Sequence, residues 1–364
     1  MKTSIPMLLA AYLLVVRAGA GPTHDVVPAV TPQIVIEGRY APSAEGGVRL
    51  GFCGTVLYFR FHGSQLAMRV KATTDEVYFD VGMDGAEPVR LRCHAGEGDY
   101  PLLTGTNAAD HEFEITRRSE SWQGTCEVAG LDPGAKGSLL APPELPARKL
   151  MFIGDSITCG AATDIRPDDP LKGKTAHEDQ TSNARYSYGK ILAQKLKAQC
   201  VLVSYGGRGV MRDWQGIRNI NNAPQFYERA LPDDPSCLWK QNSYTPDAIA
   251  ICLGTNDFNQ GVPDENEFVN AYVEFIRKIQ RDSPNARIFL LDSPMLTDTP
   301  GQSPKRTVLH AYLQEIARAI NSPQIQLAPV KHYEGIPGNG HPTRVDHESM
   351  AQELEPQFRK ELNW

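Results

Sequence analysis

After about residue 20 the chain has no apolar run long enough to cross a bilayer, and none of its 7 cysteines falls in a CxxC pair. The first absence leaves no membrane span in the body of the protein. The second removes the usual spacing of a zinc site. No run of Lys and Arg interleaves with aromatics, and the formal net charge is −6, so nucleic acid is not an expected partner. There is no internal repeat. What the sequence does have is ordinary for a folded domain: 41% hydrophobic and 22% charged residues in 364 positions, enough for two domains with full cores.

The exceptional apolar run lies at the start. Lys2, the apolar stretch Ile5 to Val16 and the small residues Ala18-Gly19-Ala20 read as a secretory signal over 1–20. An uncleaved anchor is the alternative, but the run is short for a span. Secretion would expose Cys53, Cys93, Cys126, Cys159, Cys200, Cys237 and Cys252 to an oxidising compartment, where an odd count leaves at least one thiol unpaired. Their pairing is not readable.

Residues 30–140 hold short β-like runs and turn signals without a convincing helix. The clearest runs are Thr55–Phe61, Leu66–Val70, Val77–Val81 and His111–Ile115, with breaks expected at His62-Gly63-Ser64, Asp84-Gly85 and Asp132-Pro133-Gly134. That spacing predicts an antiparallel β-sandwich. A Pro-rich linker over 141–148 follows.

From 149 to 364 the rhythm changes. Leu150–Ile153, Val201–Val203, Ala248–Leu253 and Ile288–Leu291 read as buried strands, with amphipathic helices over Asp264–Asp282 and Lys305–Ile320 between and after them. The alternation implies a parallel sheet covered by helices on both faces. Thr163–Asn183 reads as a long polar surface loop, and 211–246 carries no assignable pattern.

Four short segments carry chemistry. Leu150–Gly154 ends in Asp155-Ser156, where a strand hands over to a helix and a serine hydroxyl projects from the sheet's carboxyl edge. Taken alone, Gly-Asp-Ser also fits a plain turn with an aspartate N-cap. After the next strand, Gly206-Gly207-Arg208-Gly209 lets backbone N–H groups approach a ligand, though a simple Gly-rich turn reads the same way. After the third strand, Asn256 is a neutral donor suited to an oxyanion, or Asn256 or Asp257 caps a helix. His341, in the Gly-rich loop before the last helix pattern, has the reach of a general base. His347 falls inside that helix and reads as structural. Three segments end successive strands and the fourth precedes the final helix, so all four gather at one edge.

The order Gly-Asp-Ser, Gly, Gly-x-Asn-Asp, His-Pro resembles the SGNH (GDSL-type) hydrolases over about 149–364. With the front sandwich, Gly-Asp-Ser-Ile-Thr-Cys-Gly, Tyr-Ser-Tyr-Gly at 186–189 and Gly-Arg-Gly at 207–209, the chain looks like carbohydrate esterase family 2, the acetylxylan esterase-like group. The resemblance implies an N-terminal jelly roll joined to an SGNH domain. It implies a secreted enzyme that removes acetyl groups from plant polysaccharides such as xylan and glucomannan, often at the primary 6-position hydroxyl. Ser156 would be the nucleophile and His341 the base; Ser156 N–H, Gly207 N–H and Asn256 would form the oxyanion hole. Water would resolve the acyl-enzyme, with no metal or organic cofactor. Many SGNH enzymes place an Asp three residues before the His; here Gly338 stands there. The resemblance therefore implies a Ser156–His341 dyad in which Asp346 does not orient the imidazole. Tyr186, Tyr188, Arg208 and Trp214 are candidates for sugar contacts, or packing residues. The expected partner is an acetylated polysaccharide or oligosaccharide, with no membrane once the signal is removed. Two other readings remain open: an SGNH esterase or lipase on another acyl ester, and a carbohydrate-binding protein with an inactive hydrolase domain.

Overall fold

The structure is a computed structural model that describes residues 25–165, 181–337 and 340–364. The expected signal at 1–20, most of the loop Thr163–Asn183, and Gly338 lie outside the described residues.

Ten antiparallel strands build the N-terminal part: β1 (Val27–Pro28), β2 (Ile34–Glu37), β3 (Ala41–Pro42), β4 (Val48–Leu50), β5 (Val56–Ala72), β6 (Val77–Met83), β7 (Val89–Cys93), β8 (Gly96–Arg117), β9 (Cys126–Asp132) and β10 (Ser138–Leu139). The long strand β5 pairs with β2, β8, β9 and β10 and so ties the assembly together. Its side chains alternate, with Leu57, Phe59, Phe61, Leu66, Met68 and Val70 all buried on the core face. One expectation fails here. His62-Gly63-Ser64 does not end a strand, because β8 follows β5 through a shift of register between Gly63 and Gln65. A bulge bends a ladder without terminating it.

Residues 140–147 have almost no regular structure, and a five-stranded parallel sheet follows. Its strands are β11 (Arg148–Gly154), β12 (Ala198–Ser204), β13 (Ala248–Cys252), β14 (Arg287–Leu291) and β15 (Ile325–Ala328), in the order β12-β11-β13-β14-β15. The α-helices among the described residues are α1 (Ser156–Cys159), α2 (Tyr188–Leu196), α3 (Ala223–Phe226), α4 (Glu265–Asp282), α5 (Lys305–Ile320) and α6 (Arg344–Leu362). Strand residues alternate between two cores. Phe152, Leu202 and Phe289 face Leu192 and Leu196 of α2 and Met350, Leu354 and Phe358 of α6. Ile153, Val203, Ile251 and Leu290 face Phe268, Tyr272 and Ile276 of α4 and Leu309 and Leu313 of α5. Burial on both sides is why these strands are apolar throughout. It also fixes the carboxyl ends of β12, β11 and β13 side by side.

The two parts share buried polar contacts. The fully buried Arg39 of the sandwich donates to the carbonyls of Tyr227 and Arg229, the latter at 3.0 Å. Lys190 of α2 pairs with Glu37 of β2 at 2.7 Å. Asp80 accepts from Arg118 at 2.7 Å and from Asn183 at 2.8 Å. All seven cysteines carry free thiols, six of them buried.

Candidate active site

The strand ends assemble the site. β11 stops at Gly154, and Asp155 Oδ1 accepts the Ile157 N–H at 3.0 Å, capping α1. Ser156 thus takes the first helical position. His341 comes from the loop before α6, where the Ile336 N–H donates to the His341 carbonyl at 2.9 Å and the Gly340 N–H to the Ile336 carbonyl at 2.7 Å. His341 Nε2 lies 2.8 Å from Ser156 Oγ. Burial pushes the imidazole down to about 4 from the ordinary 6.5, so at neutral pH it is uncharged and has one ring nitrogen able to accept a hydrogen bond. The Asp346 carboxylate is taken up by the Thr343 N–H and hydroxyl, at 2.8 and 2.7 Å, and caps α6.

The three strand ends also carry donors. The N–H groups of Ser156 and Gly207 meet no acceptor among the described residues. Gly207 has φ +75°, a conformation open chiefly to glycine. Asn256 is nearly buried, and its Nδ2 donates to Asp155 Oδ2 at 3.2 Å and to the Arg208 carbonyl at 2.9 Å. Both hydrogens have acceptors, so an oxyanion there would share one of them. Asp155 is fully buried, and burial raises its pKa to about 7.

The four candidate sugar contacts divide. Trp214 is 52% exposed and its indole lies against Gly207, within 2.8 Å of where a Cβ would stand. Tyr188 is a correction: it is completely buried, its hydroxyl 3.0 Å from Thr158 Oγ1 and its ring parallel to His347, so no sugar reaches it. Arg208 is half-buried, its guanidinium stacked on Tyr205 and facing Asp213 at 3.7 Å. Tyr186 is half-buried; Arg344 covers its ring at 3.4 Å and Glu87 accepts its hydroxyl at 2.9 Å. His347 is structural as read, buried in α6 with Nδ1 accepting the Tyr188 N–H at 3.1 Å. Cys159 packs, its thiol donating to Ser204 Oγ at 3.1 Å.

Three supporting groups escaped the sequence reading. Asp257 caps no helix. Its carboxylate instead accepts the N–H groups of Val210, Met211 and Arg212 at 3.0, 2.9 and 3.2 Å and so shapes the Gly-rich loop. Its place beside Asn256 was the available signal. Asp164 bridges Arg118 and Arg344, and nothing local marks it. Glu120 of the sandwich accepts the Gly206 N–H at 2.7 Å. Among the described residues no group of three His, Cys, Asp or Glu side chains is arranged to hold a metal ion.

A serine on a neutral imidazole, at the carboxyl edge of this parallel sheet and beside backbone donors, defines an SGNH-type hydrolase domain. Residues 152–352 match the GDSL-like Lipase/Acylhydrolase family, and residues 36–143 match the family described as Carbohydrate esterase 2 N-terminal. The chain is 33% identical over 347 residues to an acetylxylan esterase / glucomannan deacetylase of Cellvibrio japonicus, covering 94% of this chain and 92% of that one. A family two carbohydrate esterase structure from Cellvibrio japonicus superposes with TM-score 0.86 at 31% identity, covering 93% of this chain and 98% of that one. A second, from Clostridium thermocellum in complex with cellohexaose, gives 0.82 at 26% identity, covering 91% and 99%. The chain belongs to carbohydrate esterase family 2, and the protein is a carbohydrate esterase.

Proposed function

We propose that this protein is a secreted serine esterase that removes O-acetyl groups from plant cell-wall polysaccharides, xylan and glucomannan among them. The observation that carries the reading is the 2.8 Å contact of His341 Nε2 with Ser156 Oγ, at a strand edge where the N–H groups of Ser156 and Gly207 meet no acceptor among the described residues. His341 takes the serine proton as Oγ attacks the acetyl carbonyl. Ser156 N–H, Gly207 N–H and the Asn256 amide receive the oxyanion. The sugar hydroxyl leaves with the proton from His341. Water, deprotonated by the same imidazole, then releases acetate. The exposed Trp214 indole offers an apolar ring face to the sugar beside Gly207. The likeness to an acetylxylan esterase / glucomannan deacetylase supports the substrate class.

The test is acetate release from acetylated xylan, acetylated glucomannan and an aryl acetate, by wild type and Ser156→Ala. Loss on all three in the variant supports the reading. Equal background release in both proteins, with polysaccharide binding retained, overturns it.

A further inference from the structure

The sandwich reaches into the catalytic half at a particular peptide. Gly206 and Gly207 stand in sequence at the end of β12, and the peptide between them carries the Gly207 N–H. Two consecutive glycines give that plane wide rotational freedom. Among the described residues no partner holds that peptide directly; contacts on the peptides around it restrain it, among them the Arg208 N–H to Tyr205 carbonyl bond at 3.4 Å that closes a turn over both glycines. On one side the Gly206 N–H donates to Glu120 Oε2 at 2.7 Å. On the other the Trp214 N–H donates to the Gly207 carbonyl at 2.9 Å, and the Arg208 carbonyl accepts from Asn256. Glu120 is 2% exposed, and a Cβ on Gly206 would stand 2.3 Å from its Oε2, so only glycine admits this approach.

The corner that presents Glu120 is itself rigid. Gln123 Oε1 accepts the Glu120 N–H at 2.7 Å, and Ser121 Oγ donates to the Gly51 carbonyl at 2.6 Å. The fully buried Arg117 donates to the carbonyls of Ser119 and Leu50 at 3.2 and 3.3 Å. A carboxylate fixed in one domain therefore holds a loop of the other.

We infer that Glu120 is a positioning residue for the oxyanion hole, by which the N-terminal sandwich sets the direction of the Gly207 N–H. This rests on the Ser156–Gly207–Asn256 reading of the site. The sandwich is then a working part of the catalytic centre. The Glu120 carboxylate stays a spectator in the chemistry; it restrains the peptide before the substrate arrives, which spares the reorganisation that an oxyanion would otherwise impose.

The experiment uses the full chain with Glu120→Ala, Glu120→Gln and, as a control for loosened domain contact, Glu37→Ala, which breaks the ion pair with Lys190. The readouts are kcat and KM on an aryl acetate, and the affinity of a boronic acid that adds to Ser156. Glu120→Ala is expected to lower kcat by about ten- to a hundred-fold with KM nearly unchanged, and to weaken the boronate in parallel. Glu120→Gln keeps an acceptor for the Gly206 N–H and is expected to restore most of the activity, while Glu37→Ala leaves kcat as it was. If the alanine variant does not fold, Glu120→Asp, one methylene short, supplies the same reading. A folded Glu120→Ala with wild-type kcat overturns the inference, as does a glutamine variant as impaired as alanine. Ser156→Ala in the same series separates the failures: full activity there would remove the assignment of the site itself.

Discussion

Two histidines six positions apart sit in neighbouring regions, and their difference is instructive. His341, on the loop before α6, and His347, in the first turns of α6, are both held uncharged by burial, His341 down to about 4 and His347 to about 3. His341 is half-buried and His347 wholly buried, yet in their lowered proton affinity the two are alike. What separates them is contact: His341 Nε2 faces Ser156 Oγ at 2.8 Å, whereas His347 Nδ1 accepts the Tyr188 N–H at 3.1 Å and its ring stacks on Tyr188. A depressed pKa marks a dry site, and only geometry toward a reacting atom makes it a base.

Removing each histidine should drive the two regions apart. His341→Ala is expected to lower kcat/KM by roughly a thousand-fold or more while the thermal midpoint stays near wild type. His347→Gln, whose amide oxygen still accepts the Tyr188 N–H, is expected to keep kcat/KM within a few-fold. Steady-state kinetics and a thermal melt on each variant check both statements. Equal losses of activity would dissolve the distinction.

Acid separates them next. His347 in the unfolded chain takes up a proton below about 6.5, which the folded protein refuses until about 3. The unfolded state binds more protons in that window, so stability falls as pH drops through it, by up to roughly 1.4 kcal/mol per pH unit. Urea midpoints between those limits should slope less in His347→Gln than in wild type. The smallest effect concerns activity. His341 must be neutral to accept the serine proton, so kcat/KM should fall on the acid side of its pKa. The ring is half-buried and keeps some water, which places the acid limb between about 4 and the ordinary 6.5. A limb at or above the ordinary value would mean the imidazole is not desolvated.

Much of the reactive edge was legible because it lies in short motifs at strand ends. Ser156, Gly207 and Asn256 follow β11, β12 and β13, which are adjacent in the sheet, and His341 precedes α6. The apolar strands announced themselves as unbroken runs, and helices α4 and α5 by period. Strand β15 did not, since only Ile325 and Ala328 of its four residues are buried at an edge of the sheet. Helix α2 opens on Tyr188-Gly189, which reads poorly as a helix start although Ser187 caps it. Tyr188 points into the core and Trp214 into solvent, a difference no motif announces, because an aromatic in a motif gives no sign of which way it points. Glu120, Asp164 and Asp257 owe their roles to partners far off in the chain, and no local pattern encodes such a contact.

The account stands or falls on Ser156 being activated by His341. Treating the wild-type protein with an organophosphonate and mapping the adduct by peptide mass tests this directly. The expected result is a single label on Ser156 that His341→Ala abolishes. A label on another residue, or equally fast labelling of Ser156 without His341, would contradict it.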